Sequence, residues 1–300
     1  TKNGKSVFYL GNKVTTGNAY YFKTDKNNTV YQLPSSIGDM FCKSPDSFRN
    51  LIIVSMDQNS VRGFNITKGG QALSVSYHEA PEGSYPGAVS TWKITSPLER
   101  DADNSLVTDK ILTYITSIAA DSVAADNPSD ISAYGFNGDR VTVKSDSEEI
   151  SFQVGYKGDS TYIYVEGKNS VYGISPSKLS FMDVKPFDIL EKLTNLISIE
   201  DISTIEIKTS DINSVLDAKT YKIDEAQADE KAFKSMSMEI IGMSVDGMVE
   251  KPVSYTKGAP CIIFNMKDNT KHMLEFCNYD DLNFAVFENG QNTFFMKKTK

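Results

Sequence analysis

The sequence predicts an α+β fold made of tandem repeated units, each an antiparallel β-meander with helices packed on one face. Two observations lead to this prediction. A sequence pattern recurs along the chain at a constant spacing, and helical apolar stripes stand next to short strands separated by turns. The length of 300 residues also exceeds the roughly 100–200 residues of one usual domain.

The repeat is seen most clearly in an Asn followed by Ser or Thr and two bulky β-forming residues. It occurs at residues 28–31, 169–172 and 292–295. Val171 lies 141 residues after Val30, and the same spacing relates residues 44–45 to 185–186 and residues 61–66 to 202–207. A spacing that holds over about forty residues indicates duplication. We therefore expect three units, which are 1–98 (its leading helix missing), 99–224 (complete) and 225–300 (partial, a helix plus four strands).

In the middle unit, one amphipathic helix is expected between a strand at residues 92–94 and the helix-ending Asn127-Pro128. Asp103 or Ser105 can cap its first turn by accepting backbone hydrogen bonds. Its apolar residues recur at helical spacing and form one stripe: Val107, Ile111, Leu112, Ile115 and Ile118.

Four short strands are expected after this helix, at residues 141–144, 150–155, 161–166 and 170–174. Short turn-forming stretches such as Lys157-Gly158-Asp159 separate them. Strands joined by such short connections are typical of an antiparallel meander.

Two short helices and a strand should complete the middle unit. Ser175-Pro176 and Pro186 each open a helix, because proline is favoured in the first helical turn. The second of these helices is expected to present one apolar face formed by Ile189, Leu190, Leu193 and Leu196. Residues 202–207 alternate in polarity and predict a half-buried strand.

The other units are read in the same way. The last unit should begin with a helix carrying Phe233, Met236 and Ile240, followed by strands at about 261–266, 272–277, 284–288 and 293–297. In the first unit, residues 8–11 and 20–22 predict strands, and Gly69-Gly70 predicts a hairpin turn.

The charge balance argues against a nucleic-acid partner. The chain carries 31 Lys and Arg against 39 Asp and Glu, a net charge of −8, whereas phosphate backbones are bound by basic surfaces. The longest apolar runs, such as residues 51–54, are far shorter than the roughly 20 residues of a membrane helix. We expect any signal or membrane anchor to lie upstream of Thr1.

The two histidines, His78 and His272, have no partner at metal-binding spacing. Residues 83–87 superficially resemble a nucleophile elbow, but the spacing is wrong because Ser84 directly follows the first glycine. A turn-rich loop is the favoured interpretation, and a Ser84–His78 site is the alternative.

Acidic pairs occur at Glu148-Glu149, Glu200-Asp201 and Asp280-Asp281, in polar turns or at strand ends, where acids are usually solvated. Residues 57–60 and 146–148 are oxygen-rich but lack the ligand spacing of a calcium loop, so we interpret them as turns. Nucleotide-binding glycine motifs are absent from the sequence. The sequence therefore predicts no catalytic, cofactor-binding or metal-binding residues, and no cofactor.

The three cysteines, Cys42, Cys261 and Cys277, are interpreted as small apolar residues, with a Cys261–Cys277 bridge across a hairpin as the alternative. The chain also has 15 Tyr and 16 Phe. Tyr162 and Tyr164 share one face of a strand, and Ile163 and Val165 share the other. Both faces should therefore pack against other elements or a partner.

Several of these motifs carry a family resemblance. They are Trp92-Lys93-Ile94-Thr95-Ser96-Pro97 with the acidic cap and helix that follow, Ala120-Asp121-Ser122-Val123, Tyr134-Gly135-Phe136, Val171-Tyr172 and Phe48-Arg49-Asn50-Leu51. Together they resemble the uncharacterised bacterial family catalogued as domain of unknown function 4340, over most of residues 1–210. Phe136 stands where that family usually has leucine. The resemblance implies an extracytoplasmic protein held by an N-terminal membrane segment, often associated with ABC-type export or gliding-motility transporters. It implies no reaction.

We therefore expect a non-enzymatic extracytoplasmic domain of a membrane-anchored, lipoprotein-like protein. It would act as an accessory or interaction module of an ABC-type transporter, with transporter components as protein partners and no nucleic acid. The alternatives are a cell-envelope carbohydrate-binding module, for which exposed coplanar tyrosines are expected, and a glycan hydrolase that uses inter-domain carboxylates.

Overall fold

The computed structural model describes residues 5–80, 91–165 and 167–299. These residues form antiparallel β-sheets with a smaller share of short helices, so the α+β class is confirmed in this general form. Residues 83–87, including Ser84, lie outside the described part of the chain.

The strands follow one another along the whole chain. They are β1 (Phe8–Lys13), β2 (Ala19–Thr24), β3 (Tyr31–Pro34), β4 (Ile52–Ser55), β5 (Val61–Lys68), β6 (Gln71–His78), β7 (Thr91–Ser96), β8 (Arg100–Asp101), β9 (Ser117–Ala119), β10 (Ser122–Asp126), β11 (Phe136–Ser145), β12 (Glu149–Lys157), β13 (Ser160–Val165), β14 (Ser170–Ile174), β15 (Ile202–Lys208), β16 (Asn213–Asp217), β17 (Lys222–Ile223), β18 (Ala226–Gln227), β19 (Gly247–Met248), β20 (Cys261–Met266), β21 (Lys271–Asn278), β22 (Asn283–Glu288) and β23 (Gln291–Lys297).

The helices are short. They are α1 (Ser35–Phe41), α2 (Asn104–Val107), α3 (Thr113–Ile115), α4 (Pro186–Ile189) and α5 (Glu230–Ile241). A π-helical segment, Thr108–Leu112, joins α2 to α3. Turns of 3-10 helix lie at Pro45–Phe48, Gln58–Ser60, Ser132–Tyr134, Pro176–Asp183 and Ile199–Asp201.

The chain folds into two compact units that interleave along the sequence. Unit 1 comprises Thr1–Ser60, Thr67–Gly70 and Tyr114–Ser180, and unit 2 comprises Val61–Ile66, Gln71–Thr113 and Phe181–Lys300.

In unit 1, the predicted meander is confirmed, because β11 to β14 pair in sequence order and β10 pairs with β14. Ile163 and Val165 of β13 are buried, whereas Tyr162 and Tyr164 on the opposite face are half-buried. The period-2 alternation therefore assigned the faces of this strand correctly. The unit also contains the three-stranded sheet β1-β2-β3 and the pair β4-β9.

In unit 2, the largest sheet has the order β18-β17-β16-β15-β20-β21-β22-β23-β19. Helix α5 packs on it through Phe233, which is buried in a cluster with Ile205, Phe264 and Leu274. The predicted helix, the strand at 202–207 and the four strands after residue 260 are all confirmed. The hairpin turn at Gly69-Gly70, which belongs to unit 1, is confirmed as well, because β5 ends at Lys68 and β6 begins at Gln71.

The first predicted helix is shorter than expected. Asp103 caps it by accepting hydrogen bonds from the backbone N–H groups of Ser105 and Leu106. The helical segment ends at Ile115, and Ile118 belongs instead to β9, where it pairs with Val54 of β4. The prediction that Ile118 belongs to the helix is wrong, because this residue forms backbone pairs with β4, a strand distant in sequence.

The helix predicted after Pro186 is also wrong beyond its first turn. Helix α4 ends at Ile189, and Leu190 is already extended, with φ −70° and ψ 142°. Leu190 forms an isolated bridge with Ala102, and the N–H of Glu191 donates to the carbonyl of Asp101 at 2.9 Å. Backbone pairing with the segment around Ala102 therefore replaces the intrahelical hydrogen bonds.

Candidate functional site

A cavity of about 620 Å³ in unit 2 brings both histidines of the chain to one site. Its walls come from β6 and β7, the β8 strand, the segment after α4, and β21. The polar lining residues are His78, Lys93, Thr95, Glu99, Arg100, Asp101, Glu191, Thr194, Asn195 and His272. Sequence reasoning missed this site because His78 and His272 are far apart in the chain and have no shared motif.

Arg100 and Lys93, the two basic residues that line the cavity besides the histidines, already form ion pairs with carboxylates of the protein. Arg100 donates to the carboxylate of Glu288 and to the carbonyl of Leu193, the second at 2.9 Å, and its guanidinium lies 5.0 Å from the centre of the Phe294 ring. The ammonium of Lys93 lies 3.4 Å from Asp101 Oδ1. Because each of these two cations already has a carboxylate partner, the pocket is poorly suited to an anionic ligand.

The floor of the cavity carries a buried amide. Asn195 is only 7% exposed, and its Nδ2 donates to Thr194 Oγ1 at 3.2 Å. Thr194 Oγ1 in turn donates to the carbonyl of Met243 at 3.0 Å, which fixes the hydroxyl. His78 lies at the exposed rim, with Nε2 2.9 Å from Ser76 Oγ.

The six paired acids of the sequence are all exposed. Asp280 illustrates their local role, since its Oδ1 accepts from the backbone N–H groups of Leu282 and Asn283, each at 2.8 Å. The Asn283 side chain and these backbone donors hold the pKa of Asp280 below its usual range. Among the described residues, no group of three or more His, Cys, Asp or Glu side chains could hold a metal ion.

The three cysteines are free, so the alternative of a Cys261–Cys277 bridge is wrong. The hairpin register explains this result, because Cys261 lies opposite Glu275 and Cys277 lies opposite Ala285. Burial raises the pKa of the Cys261 thiol. Cys277 is buried as expected for a small apolar residue, but Cys42 is exposed.

The Tyr134-Gly135-Phe136 motif has a structural explanation. Gly135 has φ +74°, and a Cβ at this position would lie 2.0 Å from the carbonyl oxygen of Tyr156. The motif also places Tyr134 edge-to-face against Tyr162, with ring centres 5.0 Å apart. The aromatic side of the meander thus packs on itself, and the tyrosines are not coplanar.

A second candidate site is the surface of the N-terminal lobe, which we define as residues 5–52. Among the residues of this lobe whose burial the structure describes, the buried ones are Val14, Ala19 and Gly38. Large apolar residues are exposed instead: Phe8, Tyr9, Tyr21, Val30, Tyr31, Ile37, Met40, Phe41, Phe48 and Ile52. Such a concentration is typical of a surface that another molecule covers.

The family model described as "Domain of unknown function (DUF4340)" matches residues 1–87 and 92–260. The chain belongs to the DUF4340 family. The DUF4340 match continues past residue 210 and includes α5, so it extends further than the motifs alone indicated.

No curated protein and no solved structure matches the chain. Within the part of the chain that the structure describes, none of the helices has the length and apolar character that crossing a membrane requires.

Proposed function

We propose that this chain is the non-enzymatic, extracytoplasmic domain of a membrane-anchored protein and serves as an accessory module of an ABC-type transporter. The observation that carries the contact role is the apolar patch on α1, which consists of Ile37, Met40 and Phe41. These side chains are 43%, 52% and 63% exposed. Their spacing places them on one face of the helix.

The surroundings of the patch suit a protein partner. Residues 35–52 carry two acids and two bases, so this segment is neutral. One of the bases, Arg49, already forms an ion pair with Asp126. The centres of protein–protein interfaces are depleted of charged residues and enriched in Phe and Met. A neutral patch with exposed Met40 and Phe41 has this composition.

The proposal also includes a tandem duplication within the chain. The 141-residue spacing relates β5 to β15, both of which are strands. Val61 and Phe64 of β5 are buried, as are the residues at the same spacing in β15, Ile202 and Ile205. Equivalent burial at equivalent positions supports a shared origin for the two segments, and the unit boundaries at 98 and 224 stay predictions.

The test is site-specific crosslinking of the full-length protein in its native membrane. A photoreactive amino acid replaces Met40, and the matched control replaces Met238, which is 65% exposed on α5. Capture of a transporter permease or ATPase subunit from position 40 and not from position 238 is the expected result. Equal capture from both positions, or none from position 40, would contradict the proposal.

One observation favours the carbohydrate-binding alternative. A cavity of about 230 Å³ in unit 1 is lined by Tyr164 together with the amide side chains of Asn127 and Asn169. An aromatic ring beside hydrogen-bonding amides is a suitable lining for a sugar. Retention of the protein on cell-envelope glycan, with loss of retention in Tyr164→Ala, would favour this function over the transporter module.

A further inference from the structure

The strands of the N-terminal lobe carry a charge opposite to that of the rest of the chain. Residues 5–34 contain four lysines and one aspartate, a net charge of +3. The remaining residues contain 27 Lys and Arg against 38 Asp and Glu, or −11. A basic segment on a strongly acidic chain indicates a partner surface that is itself anionic.

Three of these four lysines, Lys5, Lys23 and Lys26, lie at one end of the β1–β2 pair, whereas Lys13 lies at the other end and forms an ion pair with Asp39. Lys5 precedes β1 and Lys26 follows β2, and both are exposed. The N–H of Asp25 donates to the carbonyl of Val7 at 3.0 Å, so these two chain segments lie side by side. Lys23 lies between them, with its ammonium 5.7 Å from the centre of the Tyr9 ring.

Tyrosines occupy the sheet face that α1 does not cover. Helix α1 packs on the face of Tyr20, where a Cβ on Gly38 would lie 2.2 Å from the Tyr20 ring. Tyr21 and Lys23 alternate with Tyr20 along β2 and therefore point to the opposite face. Tyr9 shares that face because it pairs directly with Lys23. Both tyrosines are about half exposed, at 52% and 45%.

This combination of residues distinguishes a lipid surface from a protein surface. Lysine is depleted in protein interfaces, and residues 5–34 contain four lysines and no arginine. Tyrosine is enriched where membranes meet water, since the ring enters the headgroup region and the hydroxyl stays hydrated. Lysines near an anionic bilayer are attracted to its surface potential.

We propose that the basic tyrosine face, which consists of Tyr9, Tyr21 and Lys23 with the exposed lysines Lys5 and Lys26 at the adjoining end of the β1–β2 pair, rests on an anionic phospholipid surface. It differs from the neutral apolar patch on α1, so lipid and a protein partner can be bound by different sides of the same lobe. The inference does not depend on transporter association, because the charge and the exposed rings are properties of this chain alone.

The test measures co-sedimentation of the whole chain with vesicles of phosphatidylcholine plus phosphatidylglycerol, and with vesicles of phosphatidylcholine alone. We expect binding to the anionic vesicles, weakened by salt, and little binding to the neutral ones. Lys5→Gln with Lys26→Gln should lower the partition coefficient about 25-fold, at about fivefold for each lysine. The matched control is Lys251→Gln with Lys257→Gln, two exposed lysines of unit 2, and it should bind as the parent does.

A second measurement tests whether the basic tyrosine face enters the headgroup region of the bilayer. The Tyr21→Trp variant adds an exposed tryptophan to a chain whose only other one, Trp92, is buried. Brominated anionic lipids should quench its fluorescence, and they should not quench the additional tryptophan of Leu282→Trp, which replaces a 73% exposed side chain of unit 2.

Equal binding to neutral vesicles, equal loss in the two lysine pairs, or equal quenching at positions 21 and 282 would overturn the inference. Absence of vesicle binding, together with a protein captured by a photoreactive group at position 21, would assign this face to a protein partner instead. Crosslinking from Met40 tests the protein contact of α1 and does not depend on vesicle binding. The lipid inference can therefore fail while the proposed function stands.

Discussion

Arg100 and Glu288 form a largely buried ion pair that joins β8 to β22 within unit 2. Their side chains are only 17% and 20% exposed, and the Arg100 guanidinium also lies over the Phe294 ring. Removal of one member leaves the other charge buried without compensation. Arg100→Met should therefore lower the free energy of unfolding by about 2–4 kcal/mol, measured by urea denaturation.

Two further variants make this prediction specific. The double variant Arg100→Met with Glu288→Leu should recover much of the lost stability, because no unpaired charge remains. Lys13→Met breaks an ion pair with Asp39 whose members are about half exposed, and its effect should be much smaller. Similar losses for Arg100→Met and Lys13→Met would contradict the buried role of Arg100.

The elements that the sequence predicted well are those specified by local periodicity. The meander β11–β14 and helix α5 follow from alternation and helical spacing over short windows. The errors at Ile118 and Leu190 have one cause, since each residue forms backbone pairs with a segment distant in sequence. Tertiary pairing of this kind leaves no signal in the local pattern.

The candidate sites were less accessible to sequence reasoning than the fold. His78 and His272 reach one cavity only because β6 and β21 belong to the same compact unit. The exposed aromatic residues of β1 and β2 have the composition of core strands. Their exposure depends on what covers the sheet, and a strand's own pattern does not contain that information.

Asp103 gives a stability change that depends on pH. Its Oδ1 caps α2, and hydrogen bonds from the Ser105 hydroxyl first, and then from the backbone N–H groups of Leu106 and Ser105, lower its pKa. A carboxylate with a depressed native pKa contributes stability above its unfolded pKa of about 3.9, and this contribution is lost as pH falls through the native value.

Asp103→Ala should therefore cost about 1 kcal/mol at neutral pH, and the difference from the parent should shrink as pH falls below about 4. Urea unfolding at neutral and acidic pH measures both values. Asp103→Asn keeps a capping oxygen without the charge and should retain most of the stability at neutral pH. A cost of Asp103→Ala that is independent of pH would contradict the role of the carboxylate charge.

The cysteines should react in the order of their exposure. Cys42 is exposed, Cys261 is partly buried with a raised pKa, and Cys277 is buried. Because the thiolate is the reactive form, a coloured thiol reagent at mildly alkaline pH should modify Cys42 rapidly, Cys261 slowly and Cys277 only after denaturation. Stopped reactions analysed by peptide mass spectrometry give the three rates. Faster labelling of Cys277 than of Cys42 would contradict the burial of β21.

Gly135 should tolerate no side chain. Its φ of +74° is unfavourable for other residues, and the added Cβ of alanine would lie 2.0 Å from the carbonyl oxygen of Tyr156, which is backbone and cannot rotate away. Gly135→Ala should lower the free energy of unfolding by more than about 2 kcal/mol, because strain at positive φ and a backbone clash add together.

The matched control is Gly158→Ala in the β12–β13 turn, where φ is +57° and nothing lies within 4 Å of the added atom. That variant should lose only about 1 kcal/mol, the cost of the conformation alone. Urea denaturation of both variants separates the two contributions, and equal losses would show that the close approach of Gly135 to Tyr156 contributes nothing.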